Sequence, residues 1–302
     1  MILLPRCREL VRQCYTMPPR DSVRKLQKKM RLVMGRQTAG DQFDPDEVFS
    51  SSKELRASRM MNFLWRYERI VQRQFPKWEL DFAGKRVLEI GGGPLLGFGP
   101  VAVFFGCTKY VNAEPSHNPS ILTHPKATWY FTCVYHDLSA VFGARMTQRA
   151  FLDALAERAH ANRTPVETFA PERQFDVVLS NSTLEHIRDL DHALFRLRTA
   201  SVPDVTFIHL VDFGNHRDPM QPFRGIYAQP RDAYIAAHGD MINLLRPCDV
   251  LERFERNGFL AAMVPYYAWE TLSDPIHAWW ESRYTREHLL LKAVLFVNRP
   301  MH

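Results

Sequence analysis

The chain has 302 residues, 46% of them hydrophobic and 24% charged, with a net charge of +6. That length is enough to bury the core of one large α/β domain, alone or with a helical cap. No apolar run approaches the ~18 residues that cross a bilayer. Met1–Leu4 meets Pro5 and Arg6 too soon for a signal-peptide core, so the cytoplasm is the expected location. Five dispersed cysteines, Cys7, Cys14, Cys107, Cys133 and Cys248, lack C-x-x-C spacing, which argues against a disulfide framework or a cysteine-rich zinc site.

Much of the positive excess gathers between residues 20 and 36. There Arg20, Arg24, Lys25, Lys28, Lys29, Arg31 and Arg36 interleave with Val23, Leu26, Met30, Val33 and Met34 at helical spacing. The pattern predicts a solvated amphipathic helix. A nucleic acid or other anionic partner is the alternative, not favoured because nothing aromatic or motif-like accompanies the charge. Further on, Ser51-Ser52-Lys53-Glu54 has capping-box spacing, and Leu55, Met60, Phe63, Leu64, Tyr67, Ile70 and Val71 then recur every three or four residues. Residues 1–84 are thus expected to form a helical extension or cap that packs on the rest of the chain.

From 85 onward short apolar runs alternate with helical stretches. Strands are predicted at Arg86–Ile90, Tyr110–Ala113, Phe175–Leu179 and Val205–Val211, with a helix through Leu190, Leu194 and Leu197. Runs rich in Val, Ile and Leu between helices imply a mostly parallel sheet covered on both faces. Insertions are expected at about 145–172, read as a helix plus a polar loop, and at about 212–245, which carries Pro219, Pro222 and Pro230. A helix from Asp249 to Asn257 is stopped by Gly258, and two last apolar runs come at Leu260–Val264 and Ala293–Val297.

The informative stretch is Val87-Leu88-Glu89-Ile90-Gly91-Gly92-Gly93-Pro94-Leu95. A strand runs straight into three glycines, where the backbone can turn sharply and a ligand can approach amides with no Cβ in the way. Twenty-one residues past Gly93 the next strand ends in Glu114, placed to accept hydrogen bonds from both hydroxyls of a ribose.

Together these features resemble the class I S-adenosylmethionine-dependent methyltransferases over about 85–302. Their first motif, acid-x-Gly-x-Gly, is matched by Glu89-Ile90-Gly91-Gly92-Gly93, and the acid closing their second strand by Glu114. The resemblance implies a Rossmann-like, mostly parallel seven-stranded sheet ending in a hairpin, with S-adenosyl-L-methionine as cofactor. It places Gly91, Gly92 and Gly93 against the methionine part and Glu114 on the ribose. Asp137, in Tyr135-His136-Asp137-Leu138, takes the place of the acid after strand three, beside adenine. Ser180-Asn181-Ser182-Thr183-Leu184-Glu185-His186 resembles the family's fourth motif, so Ser180 and Asn181 join the cofactor set. Leu95 departs from the pattern, standing where many members have a third glycine. Glu89 either orients loop amides or touches the ligand.

A small-molecule acceptor is expected. Methyl transfer from a sulfonium needs alignment above all, and a base only when the acceptor carries a proton. His186, Asp212 and His216 are the candidates, on the same carboxyl edge as the glycine loop; for each, a purely structural role is the alternative. His209, Asp212 and His216 suit a divalent ion by type. His209 and Asp212, three apart at a strand end, point to different faces, so no metal is expected. Tyr227, Tyr234, Tyr266, Tyr267, Trp269, Trp279 and Trp280 would line an acceptor pocket or form a core. A nicotinamide-dependent oxidoreductase is the enzymatic rival, but its fingerprint wants a glycine where Leu96 stands, with Gly97 one residue late. A nucleic-acid-directed methyltransferase and a non-catalytic binding protein are two further rivals.

Overall fold

A computed structural model describes residues 42–299, apart from 53, 171–173, 217, 219, 240 and 273. The basic segment between 20 and 36 lies outside the described residues.

The first described elements are α1 (Pro45–Ser50) and α2 (Arg59–Gln74). The Asp44 carboxylate caps α1 by accepting the amides of Asp46 at 2.9 Å and Glu47 at 3.2 Å. Only half of the predicted capping box forms. Ser51 Oγ accepts the Glu54 amide at 3.4 Å, but the Glu54 carboxylate turns to Arg59 at 3.5 Å. The chain therefore stays in turns until Arg59, and α2 starts later than its apolar pattern suggests. Met61, Leu64, Tyr67 and Val71 form its buried stripe, which packs into the core shared with the sheet. The segment from 43 to 84 thus belongs to the same compact unit as the sheet.

The sheet has seven strands: β1 (Arg86–Ile90), β2 (Lys109–Ala113), β3 (Ala159–Asn162), β4 (Phe175–Asn181), β5 (Ser201–Asp212), β6 (Ala261–Ala268) and β7 (Leu291–Asn298). Their order is β3-β2-β1-β4-β5-β7-β6. β1 to β5 pair in parallel, and β7 lies antiparallel to both β5 and β6. The expected terminal hairpin is present. The strands alternate between two cores. Val87, Val177, Leu179 and Ile208 face one, with α2, α3 (Gly99–Phe104), α4 (Pro125–Phe142) and α5 (Gln148–Arg158). Leu88, Val178, Phe207 and Val211 face the other, with α6 (Leu190–Ala200) and α8 (Pro247–Arg256). Burial on both faces is why these strands read as unbroken apolar runs.

Strand three is a correction. The segment carrying Asp137 is not at a strand end but inside the 18-residue helix α4, capped by His124, with Ala127, Tyr130, Phe131, Val134, Tyr135 and Leu138 buried at spacings of three and one. The real third strand is the four-residue edge Ala159–Asn162, within the stretch expected to be an insertion. The 212–245 segment holds α7 (Arg231–His238) and packs through Phe223, Ile226, Tyr227, Tyr234, Ile242 and Leu244 into a third core with Trp280, from α9 (Ala278–Glu281), and Leu289, from α10 (Arg286–Leu290). Tyr227, Tyr234 and Trp280 are therefore core residues. Arg246, only 1% exposed, lies between the Phe213, Tyr227 and Trp280 rings, 5.2 to 5.8 Å from their centroids, and its Nη1 donates to the Tyr227 hydroxyl at 2.7 Å. Cation–π contact of this kind helps offset the cost of burying its charge.

Candidate active site

Strand order reverses at β1, with β2 and β3 on one side and β4 and β5 on the other. Open α/β sheets bind ligands at the carboxyl end of such a switch point. The three glycines come directly after β1 there.

Gly91 has φ +68° and Gly93 φ +72°, a region costly for other residues. Their surroundings differ. A Cβ on Gly91 would collide with the Thr183 side chain, whereas one on Gly93 would meet nothing within 4 Å. Gly91 is a packing requirement, and Gly93 opens onto free space. The bend is tied to β2 by its amides: Gly92 donates to Asn112 Oδ1 at 2.9 Å and Gly93 to Glu114 Oε2 at 3.2 Å. Asn112 Nδ2 returns a bond to the Gly93 carbonyl at 3.2 Å, and the Ser116 amide donates to Glu114 Oε1 at 3.0 Å. Burial pushes the Glu114 carboxyl above its usual range, offset in part by the Ser116 and Gly93 amides.

Glu89 is fully buried beneath the loop. Its Oε2 accepts the Phe98 amide at 2.7 Å and the Tyr110 hydroxyl at 2.6 Å, so it braces the start of α3. Oε1 is buried without a partner among the described residues. Burial raises this carboxyl to about 8, against the pull of the Tyr110 and Phe98 bonds.

A cleft of about 280 Å³ lies over the bend, lined by Glu89, Gly91, Gly92, Gly93, Glu114 and Asn181. Phe43, Arg56, Arg59 and Met60 line it from the segment before β1, and Tyr130 from α4. A glycine bend open at Gly93, facing an acid one strand away, fits a ribose-bearing cofactor. Asp137 is not among the lining residues. Ser180 is not either: it is 1% exposed and its Oγ bonds His209 Nδ1 at 2.8 Å. Asn181 does line the cleft, and its Oδ1 accepts the Tyr67 hydroxyl.

The Ser180–His209 pair makes a stability prediction. Burial lowers the His209 pKa from 6.5 to about 3, so the native state holds it neutral while the unfolded chain protonates it below 6.5. The stabilisation is complete above pH 6.5 and drains away as pH falls toward 3, at up to ~1.4 kcal/mol per pH unit. Urea unfolding should therefore show His209→Asn losing about 2 kcal/mol less than the parent between pH 7 and pH 5. Equal losses in the two proteins would refute the neutral buried imidazole.

Beyond Asn181 the chain forms a 3₁₀ turn at Leu184–His186. His186 Nδ1 donates to the Met241 carbonyl at 2.6 Å, and its ring meets that of His216 edge-on, centroids 5.1 Å apart. His216 Nε2 lies 3.7 Å from Glu185 Oε1 and 3.9 Å from Asp212 Oδ1. Asp212 is itself engaged, by Lys292 Nζ at 2.6 Å and the Gly214 amide at 2.8 Å. Burial lowers the His216 pKa, with Asp212 pulling the other way. The three sequence candidates on this edge, His186, Asp212 and His216, are brought together.

Sequence reasoning missed Glu185, 2% exposed, whose two oxygens are buried without a hydrogen-bond partner of normal geometry. Burial drives its carboxyl well above the usual range, the backbone amides of Glu185 and Asp212 offsetting part of this. The Leu184-Glu185-His186 turn is legible in sequence, but only folding shows that Glu185 points inward. Tyr67, Arg59 and Asn112 were also missed, since their roles depend on contacts across the sheet.

Fold and bend together define a doubly wound α/β protein with an open glycine bend at the β1 switch point. Residues 60–261 match the model of a methyltransferase domain family, and the chain belongs to that family. It is a methyltransferase whose cofactor is S-adenosylmethionine. Among curated proteins none matches the sequence. Among solved structures, an S-adenosylmethionine-dependent methyltransferase from Mesorhizobium loti is similar at 14% identity and TM-score 0.42, over 73% of this chain and 94% of that one. A Haemonchus contortus phosphoethanolamine N-methyltransferase 2, in complex with S-adenosyl-L-methionine, is similar at 13% identity and TM-score 0.39, over 76% of this chain and 46% of that one. Among the described residues no helix is long and apolar enough to cross a membrane.

Proposed function

We propose that the chain methylates a small-molecule acceptor, with the cofactor's sugar on Glu114 and its amino-acid part against Gly91–Gly93. One observation carries the placement: the Glu114 carboxylate lies within 3.2 Å of the Gly93 amide, at a bend that leaves room only where Gly93 faces the cleft. When bound between the glycine bend and Glu114, S-adenosylmethionine would supply an activated methyl group on a sulfonium.

The residues of the chain hold, orient and exclude water. Asn181, fixed by Tyr67, lines the cleft together with the glycine bend. Asp212 is held by Lys292, so it orients its neighbours, and His186 and His216 remain to receive an acceptor. Phe43, Arg56, Arg59 and Met60 line the other side of the cleft that would hold the cofactor, and the aromatic-rich segment after β5 would suit a small acceptor. Incubation with methyl-tritiated cofactor and a cell extract tests this reading. The label should appear in a low-mass product, and label confined to RNA or protein would overturn it.

A further inference from the structure

We propose that Glu185, His186 and His216 form a site for one divalent transition-metal ion beside the cofactor cleft. One ligand atom from each of the three lies within 4.8 Å of the others. Around a four-coordinate ion with bonds of roughly 2.1 Å, ligand atoms sit about 3.4 Å apart. The Glu185 Oε1 to His216 Nε2 distance of 3.7 Å is close to that spacing and too long for a hydrogen bond.

Three further features point to an ion. The Glu185 carboxylate is 2% exposed, with neither oxygen in a hydrogen bond of normal geometry, and a buried carboxylate calls for a cationic partner. Lys292, the nearest ammonium in the cluster, is taken by Asp212 at 2.6 Å. Metal-binding imidazoles nearly always donate their second N–H to a carbonyl or carboxylate, which fixes the tautomer. His186 already does so: Nδ1 donates to the Met241 carbonyl at 2.6 Å, which in the neutral ring leaves the lone pair on Nε2.

Two imidazoles and one carboxylate select zinc, manganese, iron or cobalt over magnesium or calcium, which prefer all-oxygen shells. His186 is exposed and the His216 side chain is 29% exposed, so positions on the ion stay open to an incoming oxygen. A hydroxyl coordinated there loses its proton to solvent more easily, and neither imidazole then has to serve as base. That consequence rests on the methyl-transfer reading; ion binding does not.

The test uses the full chain without an affinity tag, stripped of metal by chelator, titrated with Co²⁺ and Zn²⁺ in the absence of cofactor. Calorimetry should give one equivalent with a dissociation constant below about 10 µM, and Co²⁺ should show visible d–d bands. Glu185→Gln and His216→Gln should each weaken binding by at least about a hundredfold, while the exposed His192→Gln on α6 leaves it unchanged. Melting curves without metal establish that the variants fold; should Glu185→Gln not fold, His216→Gln alone decides. The site is overturned if the parent binds neither ion, or if His216→Gln binds as tightly as the parent. Because the readout is metal alone, its failure leaves methyl transfer untouched, and the reverse also holds.

Discussion

Glu114→Ala should weaken binding of S-adenosylmethionine, and of its demethylated product, by about a hundredfold or more. A hydrogen bond to a charged group contributes about 1.5–3 kcal/mol, and a ribose diol offers two to one carboxylate. The same substitution removes the acceptor for the Gly93 and Ser116 amides, so it should also cost about 1–2 kcal/mol of fold stability. Glu114→Gln keeps the shape but not the charge and should fall between the two. Calorimetry measures affinity and urea unfolding measures stability, so the two costs separate. If Glu114→Ala bound the cofactor like the parent, the sugar would have to lie elsewhere.

The second large effect contrasts two glycines of one bend. Gly91→Ala should destabilise the fold by about 2–5 kcal/mol. The left-handed backbone there costs a Cβ-bearing residue about 1–2 kcal/mol, and the new methyl must displace Thr183, an overpacking of about 1–3 kcal/mol. Gly93→Ala carries only the backbone cost, since its Cβ enters open space. On the proposed placement the cofactor's tail enters that open space, so Gly93→Ala should lose affinity out of proportion to stability. A Gly93→Ala protein that bound cofactor normally would mean that the cleft is not used as described.

The parts of this molecule that are legible in sequence share a physical cause. β1, β2, β4 and β5 are buried on both faces, so their apolar runs declare themselves, and the glycine bend and Glu114 come where those runs stop. Edge strand β3 has neither property. Ala159–Asn162 is four residues long, with two alanines and two polar residues, and carries little strand signal. With it hidden, the apolar residues near Asp137 pass for the missing strand, although their spacing is that of the helix α4. Ser180 and Asn181 are adjacent on one strand and so face opposite sides, which sends Ser180 to His209 and Asn181 to the cleft. Glu185 is visible as part of a motif. Its inward direction sets it against Asp212 and Lys292, both more than twenty-five residues downstream.

The most direct check is a crystal structure of the chain with S-adenosylhomocysteine. It should place both ribose hydroxyls on the Glu114 carboxylate and the amino-acid tail against the Gly91–Gly93 bend, in the open space at Gly93. Density for the ligand away from that bend, or a ribose without contact to Glu114, would contradict the account.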